Sequence, residues 1–241
     1  NLAATFVYHV FVLPAGALPA TATALLVEFR CPDPQARAAA QARADAIVAA
    51  LPLLEPAAFT VHPAVAAQYW NVRSGPPAPV GGARPTGRSF ILEDVCFPPD
   101  RLADGALDLM RLFERHRYAG VIFGHASAGN LHFLVTPDLN EAAEIGRFDA
   151  FMRDVVELVV GGYDGSLKAE HGTGRNVAPF VEREWGPALT SMMWRLKRLA
   201  DPSGILAPGV MLSRDPDSHL NHLHTAPTVE AEVDRCIECG F

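Results

Sequence analysis

Two short stretches of this chain carry residues able to do chemistry. The first is Gly124-His125-Ala126-Ser127-Ala128-Gly129-Asn130-Leu131-His132-Phe133, with two histidines seven positions apart. On a helix that spacing sets the imidazoles about 10 Å apart, too far to share an ion. On two strands joined by a tight turn they can converge, and Gly124 and Gly129 permit close backbone approach. Strand alternation also turns His132 away from its neighbours Leu131 and Phe133. Taken alone, the pair is more readily read as one histidine capping a strand and another packed in a core, because H-x6-H is a weak pattern.

The second stretch, Lys168-Ala169-Glu170-His171-Gly172-Thr173-Gly174-Arg175, changes that weighing. A carboxylate and an imidazole running straight into glycine make a polar, exposed turn. Adjacent side chains on extended backbone point to opposite faces. Given a bend there, Glu170 can hold a metal while His171 faces a substrate. Two histidines and a glutamate with one open position form a known catalytic metal arrangement. The competing reading is a solvated loop. Arg73, Arg84 and Arg88 flank a Gly/Pro-rich segment, and an arginine there could pair with a substrate carboxylate. For Arg84 and Arg88 plain surface charge is expected. His9, His62, His116, His219, His222 and His224 lack such context, and the last three are expected in a solvated tail.

The elements that must position these residues follow from pattern. A strand is expected over Thr23–Phe29, then a helix with Asp33 as N-cap and Pro34 at its first position, stopped by Pro52. Residues 71–88 read as a long loop. A strand over Ser89–Cys96 leads to a helix carrying Leu107, Met110 and Phe113 on one face. Tyr118–Phe123 and Leu131–Thr136 read as two strands around a turn at Gly129-Asn130. A helix from about Glu141 to Val160 places Ile145, Phe148, Met152, Val155 and Val159 on one face and ends at Gly161-Gly162. Another starts near Pro187 and ends before Asp201-Pro202, and Ser213–Val233 reads as a polar linker. Hairpin-like pairs among the helices predict an α+β fold with antiparallel sheets rather than a doubly wound parallel sheet. No G-x-G-x-x-G follows a strand and no P-loop occurs, so a nucleotide fold within the chain is not expected.

Composition sets the outer bounds. The 241 residues suffice for one large domain or two small ones. A formal net charge of −7 argues against a nucleic-acid binder. No apolar run approaches spanning length, and Asn1-Leu2-Ala3-Ala4-Thr5 has neither a charged secretory start nor an initiator Met, which reads as a fragment or a processed chain. Cys31 and Cys96 stand among apolar neighbours as expected buried thiols, and Cys236 and Cys239 form an isolated C-x-x-C. A reducing, cytoplasmic setting is expected, peripheral at the inner face of the membrane at most.

Gly124-His125 through Leu131-His132-Phe133, then Glu170-His171-Gly172-Thr173-Gly174, then Asp201-Pro202-Ser203-Gly204-Ile205-Leu206-Ala207-Pro208-Gly209 occur in that order. Together they resemble the C-terminal domain of FAD-linked oxidases, a family that includes D-lactate dehydrogenase, the glycolate oxidase flavin subunit and D-2-hydroxyglutarate dehydrogenase. The resemblance implies a ferredoxin-like substrate (cap) domain over residues 1–212, a linker over 213–233 and, over 234–241, the start of a 4Fe-4S ferredoxin-type domain. Cys236 and Cys239 would belong to that cluster, as in bacterial forms where flavin, substrate and iron–sulfur domains share one polypeptide. His125, His132 and Glu170 would hold zinc or manganese, and His171 would be the general base. Arg73 would bind the substrate carboxylate, and Gly172, Gly174 and Asn176 would contact the cofactor. A D-lactate-, glycolate- or D-2-hydroxyglutarate-type acid would be oxidised to its 2-oxo acid. Hydride would pass to FAD bound mainly outside this chain, and electrons onward to a quinone or cytochrome.

Three departures bear on this. Ala126-Ser127-Ala128 stands where the family often has Gly-Asp-Gly, which removes an acid that could support the histidines. Ala207 replaces a common Asn, and Leu92 stands where many members have a lysine, which points away from 2-hydroxyglutarate. The first departure also supports a different class of role, a non-catalytic scaffold linking electron-transfer modules.

Overall fold

The computed structural model describes residues 2–7, 23–54, 56–74, 84–223, 225 and 229–234, with backbone alone for 2–7, 72–74 and 231. It forms two units, residues 1–80 and 81–241, where the sequence reading takes 1–212 as one domain.

In the first unit an antiparallel sheet has the order β2-β1-β3, from β1 (Leu2–Val7), β2 (Leu26–Cys31) and β3 (Ala58–Thr60). The expected strand therefore begins three residues later than the apolar run. Helix α1 (Pro34–Val48) is capped as its sequence predicts: the Asp33 carboxylate accepts the Ala36 N–H at 2.7 Å, with Pro34 in the first turn. Helix α2 (Pro63–Ser74) takes in Asn71 and Arg73, which the sequence reading gave to a loop. The Arg73 side chain lies outside the described residues.

The second unit is built on the antiparallel order β4-β6-β5, from β4 (Ile91–Cys96), β5 (Val121–His125) and β6 (Asn130–Val135). Alternation sorts its two faces. Val95, Leu131, Phe133 and Val135 meet the core, with α3 (Leu102–Arg115) and α4 (Ala142–Val156) packed against them. Phe151 gathers the rings of Phe113, Phe133 and Tyr118 at centroid distances of 5.9, 5.9 and 5.1 Å. The α4 face is as expected, with Phe148, Met152, Val155 and Val159 buried. That of α3 is not: Leu107 is exposed, and Leu109, Leu112 and Phe113 do the packing. Helix α4 passes into a π turn, Glu157–Gly162, at the expected Gly-Gly. Helix α5 (Val181–Ala200) starts before Pro187, but its backbone breaks at Gly186 (φ 73°, ψ 165°), so Pro187 does begin the second straight segment.

Two further expectations are corrected. Arg84 is not surface charge: its side chain is 8% exposed, donates to the Arg88 carbonyl at 2.8 Å and pairs with Asp234 Oδ1 at 3.5 Å, before helix α6 (Ala231–Asp234) ends. His219 is not solvated linker either. Its ring is fully buried with Nε2 2.7 Å from Asp149 Oδ1, and Arg153 bonds both Asp149 and Asp217 at 2.7 Å. Part of the 213–233 segment is thus clasped to α4.

Burial pushes the His219 pKa below its ordinary 6.5, with Asp149 pulling the other way. The unfolded chain then binds this proton first, so the clasp loses stability as pH falls below about 6.5. Urea denaturation at pH 7.5 and 5.5 should show a loss on acidification that shrinks in His219→Gln. An equal loss in both would refute the assignment. No helix among the described residues is long and apolar enough to cross a membrane.

Candidate metal and general-base site

Opposite the core, the same sheet presents polar side chains. In register, Asp94 of β4 faces His132 of β6, Phe123 of β5 flanks it on the other side, and His125 pairs with Asn130. Directly opposed residues share a face, so Asp94, His132 and His125 all project from the side away from Phe133. The turn between the histidines is a 3-10 step, Ala126–Ala128, closed by Gly129 at φ +73°. A Cβ on Gly129 would lie 2.0 Å from the Phe97 carbonyl oxygen, so only glycine fits there.

The second stretch returns along the free edge of β4. Cys96 and Ser166 exchange backbone hydrogen bonds at 2.8 and 2.9 Å, and Leu167 is buried. Beyond that bridge the chain lays Lys168 to His171 over the sheet end. Gly172 and Gly174, at φ +72° and +69°, then supply the left-handed turn that carries it away.

These paths bring three predicted ligands together. Glu170 Oε1 stands 2.9 Å from His132 Nε2 and 3.6 Å from His125 Nε2. Donors held about 2.0 Å from one ion in a tetrahedral array lie ~3.3 Å apart, so this set fits zinc-like coordination with a fourth position open. His132 is 4% exposed, while Glu170 and His125 are half open to solvent. Burial pushes the His132 pKa down, against the pull of Glu170, which favours the neutral, ligating ring. His171 lies flat on His132, with centroids 4.8 Å apart and planes 7° apart, and its Nε2 is 3.5 Å from Glu170 Oε1.

Two acids that the sequence reading did not single out stand behind the site. Asp94 is fully buried, and its Oδ2 accepts the backbone N–H groups of Ala169 and Glu170 at 2.7 Å and of His171 at 3.5 Å. Burial opposes its charge, but these N–H groups and Lys168 outweigh it and hold the pKa below 3.8. Glu93 pairs with Lys168 and accepts from Asn176 Nδ2 at 2.5 Å. Asn176, expected at the cofactor, is thus engaged within the chain. Gly172 and Gly174 face open space. Cys236 and Cys239 lie outside the described residues, and Cys31 and Cys96 are free, the latter only half-buried.

The family model for the C-terminal domain of FAD linked oxidases matches residues 3–211, across both units. D-2-hydroxyglutarate dehydrogenase of Haemophilus influenzae is 33% identical over 129 residues, 54% of this chain and 12% of the relative. Glycolate oxidase subunit GlcD of Bacillus subtilis is 30% identical over 125 residues, 52% and 26%. The probable mitochondrial D-lactate dehydrogenase of Danio rerio is 30% identical over 119 residues, 49% and 24%. The chain therefore spans about a quarter or less of these relatives. With the family model matched over most of the chain, residues 3–211 of 241, the chain belongs to the FAD linked oxidases, as their C-terminal domain.

Proposed function

We propose that this region is the substrate half of a flavin-dependent dehydrogenase that oxidises a small 2-hydroxy acid to the 2-oxo acid. One observation carries the reading: His125, His132 and Glu170 converge on one point, with the His171 imidazole stacked beside them and left free of that ligand set. The two three-stranded antiparallel sheets with covering helices support the ferredoxin-like cap reading of the fold.

Zinc or manganese held by His125, His132 and Glu170 would supply Lewis-acid stabilisation of an alkoxide. FAD, held mainly by another part of the polypeptide, would accept the hydride. The remaining work belongs to this chain. His171 takes the hydroxyl proton at Nε2, the nitrogen near the ligand carboxylate. As the C2–H bond breaks, its two electrons leave with the hydrogen and the C2–O bond becomes a carbonyl. A metal and a base acting together answer the problem of ionising an alcohol near neutral pH. Arg73 pairs with the substrate carboxylate in this reading, on the strength of the resemblance alone. Leu92, on the site face of β4 by its two-residue offset from Asp94, offers no charge for a second carboxylate. That supports a lactate- or glycolate-like acid over 2-hydroxyglutarate.

Along α5, Trp185, Leu189, Met192, Leu196 and Leu199 are exposed at helical spacing, which supports a covering partner such as the flavin-binding portion. Onward transfer through a 4Fe-4S module beginning at Cys236 and Cys239, to a quinone or cytochrome, rests on the C-x-x-C pattern. Anaerobic mixing of the flavin-bearing enzyme with D- and L-lactate, glycolate and D-2-hydroxyglutarate tests the reading. Bleaching of the flavin by a lactate- or glycolate-type acid is expected, and an oxidised spectrum with every acid would contradict it.

A further inference from the structure

The buried Asp94 Oδ1 and His132 Nδ1 stand beside this site without a settled role. Asp94 Oδ1 accepts no hydrogen bond among the described residues, and the nitrogens that face it are Lys168 Nζ at 3.5 Å and His171 Nδ1 at 3.6 Å. His132 Nδ1 is buried and likewise without a partner. One ligating atom from each of Asp94, His132 and His171 falls within 4.8 Å of the others. A fully buried carboxylate oxygen and a buried ring nitrogen are costly to leave unmatched.

The two stacked rings explain the arrangement. Both turn Nε2 toward Glu170, at 2.9 Å for His132 and 3.5 Å for His171. In an imidazole, Nδ1 and Nε2 lie on well-separated edges, so both Nδ1 atoms turn away from Glu170. On the His171 ring that edge faces Asp94 Oδ1. His132 is the residue directly across the ladder from Asp94. One carboxylate thus stands behind both rings, with its other oxygen already holding the turn that carries Glu170 and His171.

We infer that Asp94 is the positioning residue of the site, its Oδ1 set toward the Nδ1–H of His171 and reaching that of His132 through one buried water. The inference rests on the metal-and-base reading above. Nδ1 protonated on both rings leaves both Nε2 lone pairs free, one for the ion and one for the substrate proton. Ligating histidines commonly donate the second ring N–H to such a carboxylate, and its removal costs about 10–100-fold in metal affinity or activity. A water bridging two otherwise unmatched buried groups, here Asp94 Oδ1 and His132 Nδ1, is ordinary in protein interiors. Asp94 also supplies from β4 the acid missing at Ala126-Ser127-Ala128.

Asp94→Asn in the flavin-bearing enzyme separates orientation from mere support. The amide oxygen can still accept the Ala169 and Glu170 N–H groups, so the turn keeps its partner. The amide NH2 then faces the Nδ1 edges and favours the wrong tautomer on the rings. Zinc affinity, measured by chelator competition, is expected to fall about 10–100-fold, with kcat for flavin reduction reduced and the melting curve close to wild type. Unchanged affinity and kcat in a folded D94N would overturn the inference. If D94N does not fold, a structure of the zinc-loaded wild type decides: Asp94 Oδ1 bonded to an Nδ1 or to a shared water supports it, and Oδ1 meeting neither overturns it. His132→Ala is the control for the underlying reading. Zinc bound by H132A as tightly as by wild type would remove the metal centre itself, and the inference with it.

Discussion

His171→Ala in the flavin-bearing enzyme is expected to slow substrate-driven flavin reduction by about 10²–10⁴-fold, the range of a positioned general base, while the ion stays bound. His171 stacks on His132 but lies outside the proposed ligand set, with Nε2 3.5 Å from Glu170 Oε1. Its side chain is 37% exposed, so alanine there opens no cavity in the core. Its backbone N–H makes the longest of the three contacts to Asp94, at 3.5 Å, and alanine retains that N–H. The turn should hold, and the defect should fall on the chemical step. Stopped-flow flavin bleaching with a metal assay on the same sample reads both quantities. A rate within a few-fold of wild type would remove His171 from the chemistry.

His132→Ala should do the opposite: lose the ion and, with it, activity. Of the three proposed ligands, His125 and Glu170 alone would remain, 3.6 Å apart and both half-exposed. The loss should exceed the about 10–100-fold typical of removing an outer partner, because here a ligand itself goes. His132 is buried, so some stability will go too. Thermal melting with and without excess zinc separates the causes, since zinc should raise the wild-type melting temperature and leave that of H132A unmoved. A variant that binds zinc with wild-type affinity would contradict the assignment.

Much of this was legible in residue order. Asp33-Pro34 marked a helix start, Gly129-Asn130 marked a turn, and the α4 face followed from a 3.6 period. The two histidines alone were a weak pattern, and Glu170-His171 running into glycine made a site plausible. Their convergence was not local information: β5–β6 and the 168–171 turn meet only through the edge of β4. Asp94 was missed because its partners lie 75 to 77 residues on. A usable signal existed, for Glu93-Asp94 are adjacent acids inside an apolar strand, and buried carboxylates demand partners. Helix α3 misled because Leu107 satisfies the period yet falls just off the buried stripe. His219 misled because a polar tail composition hides a clasp made by a single buried ring on α4.

The most direct test is anomalous diffraction from crystals of the flavin-bearing enzyme grown with zinc or manganese. The account predicts one strong peak bonded by His125 Nε2, His132 Nε2 and a Glu170 carboxylate oxygen, with His171 beside it and unbound. No peak there, or an ion held by Asp94 and His171 instead, would contradict it.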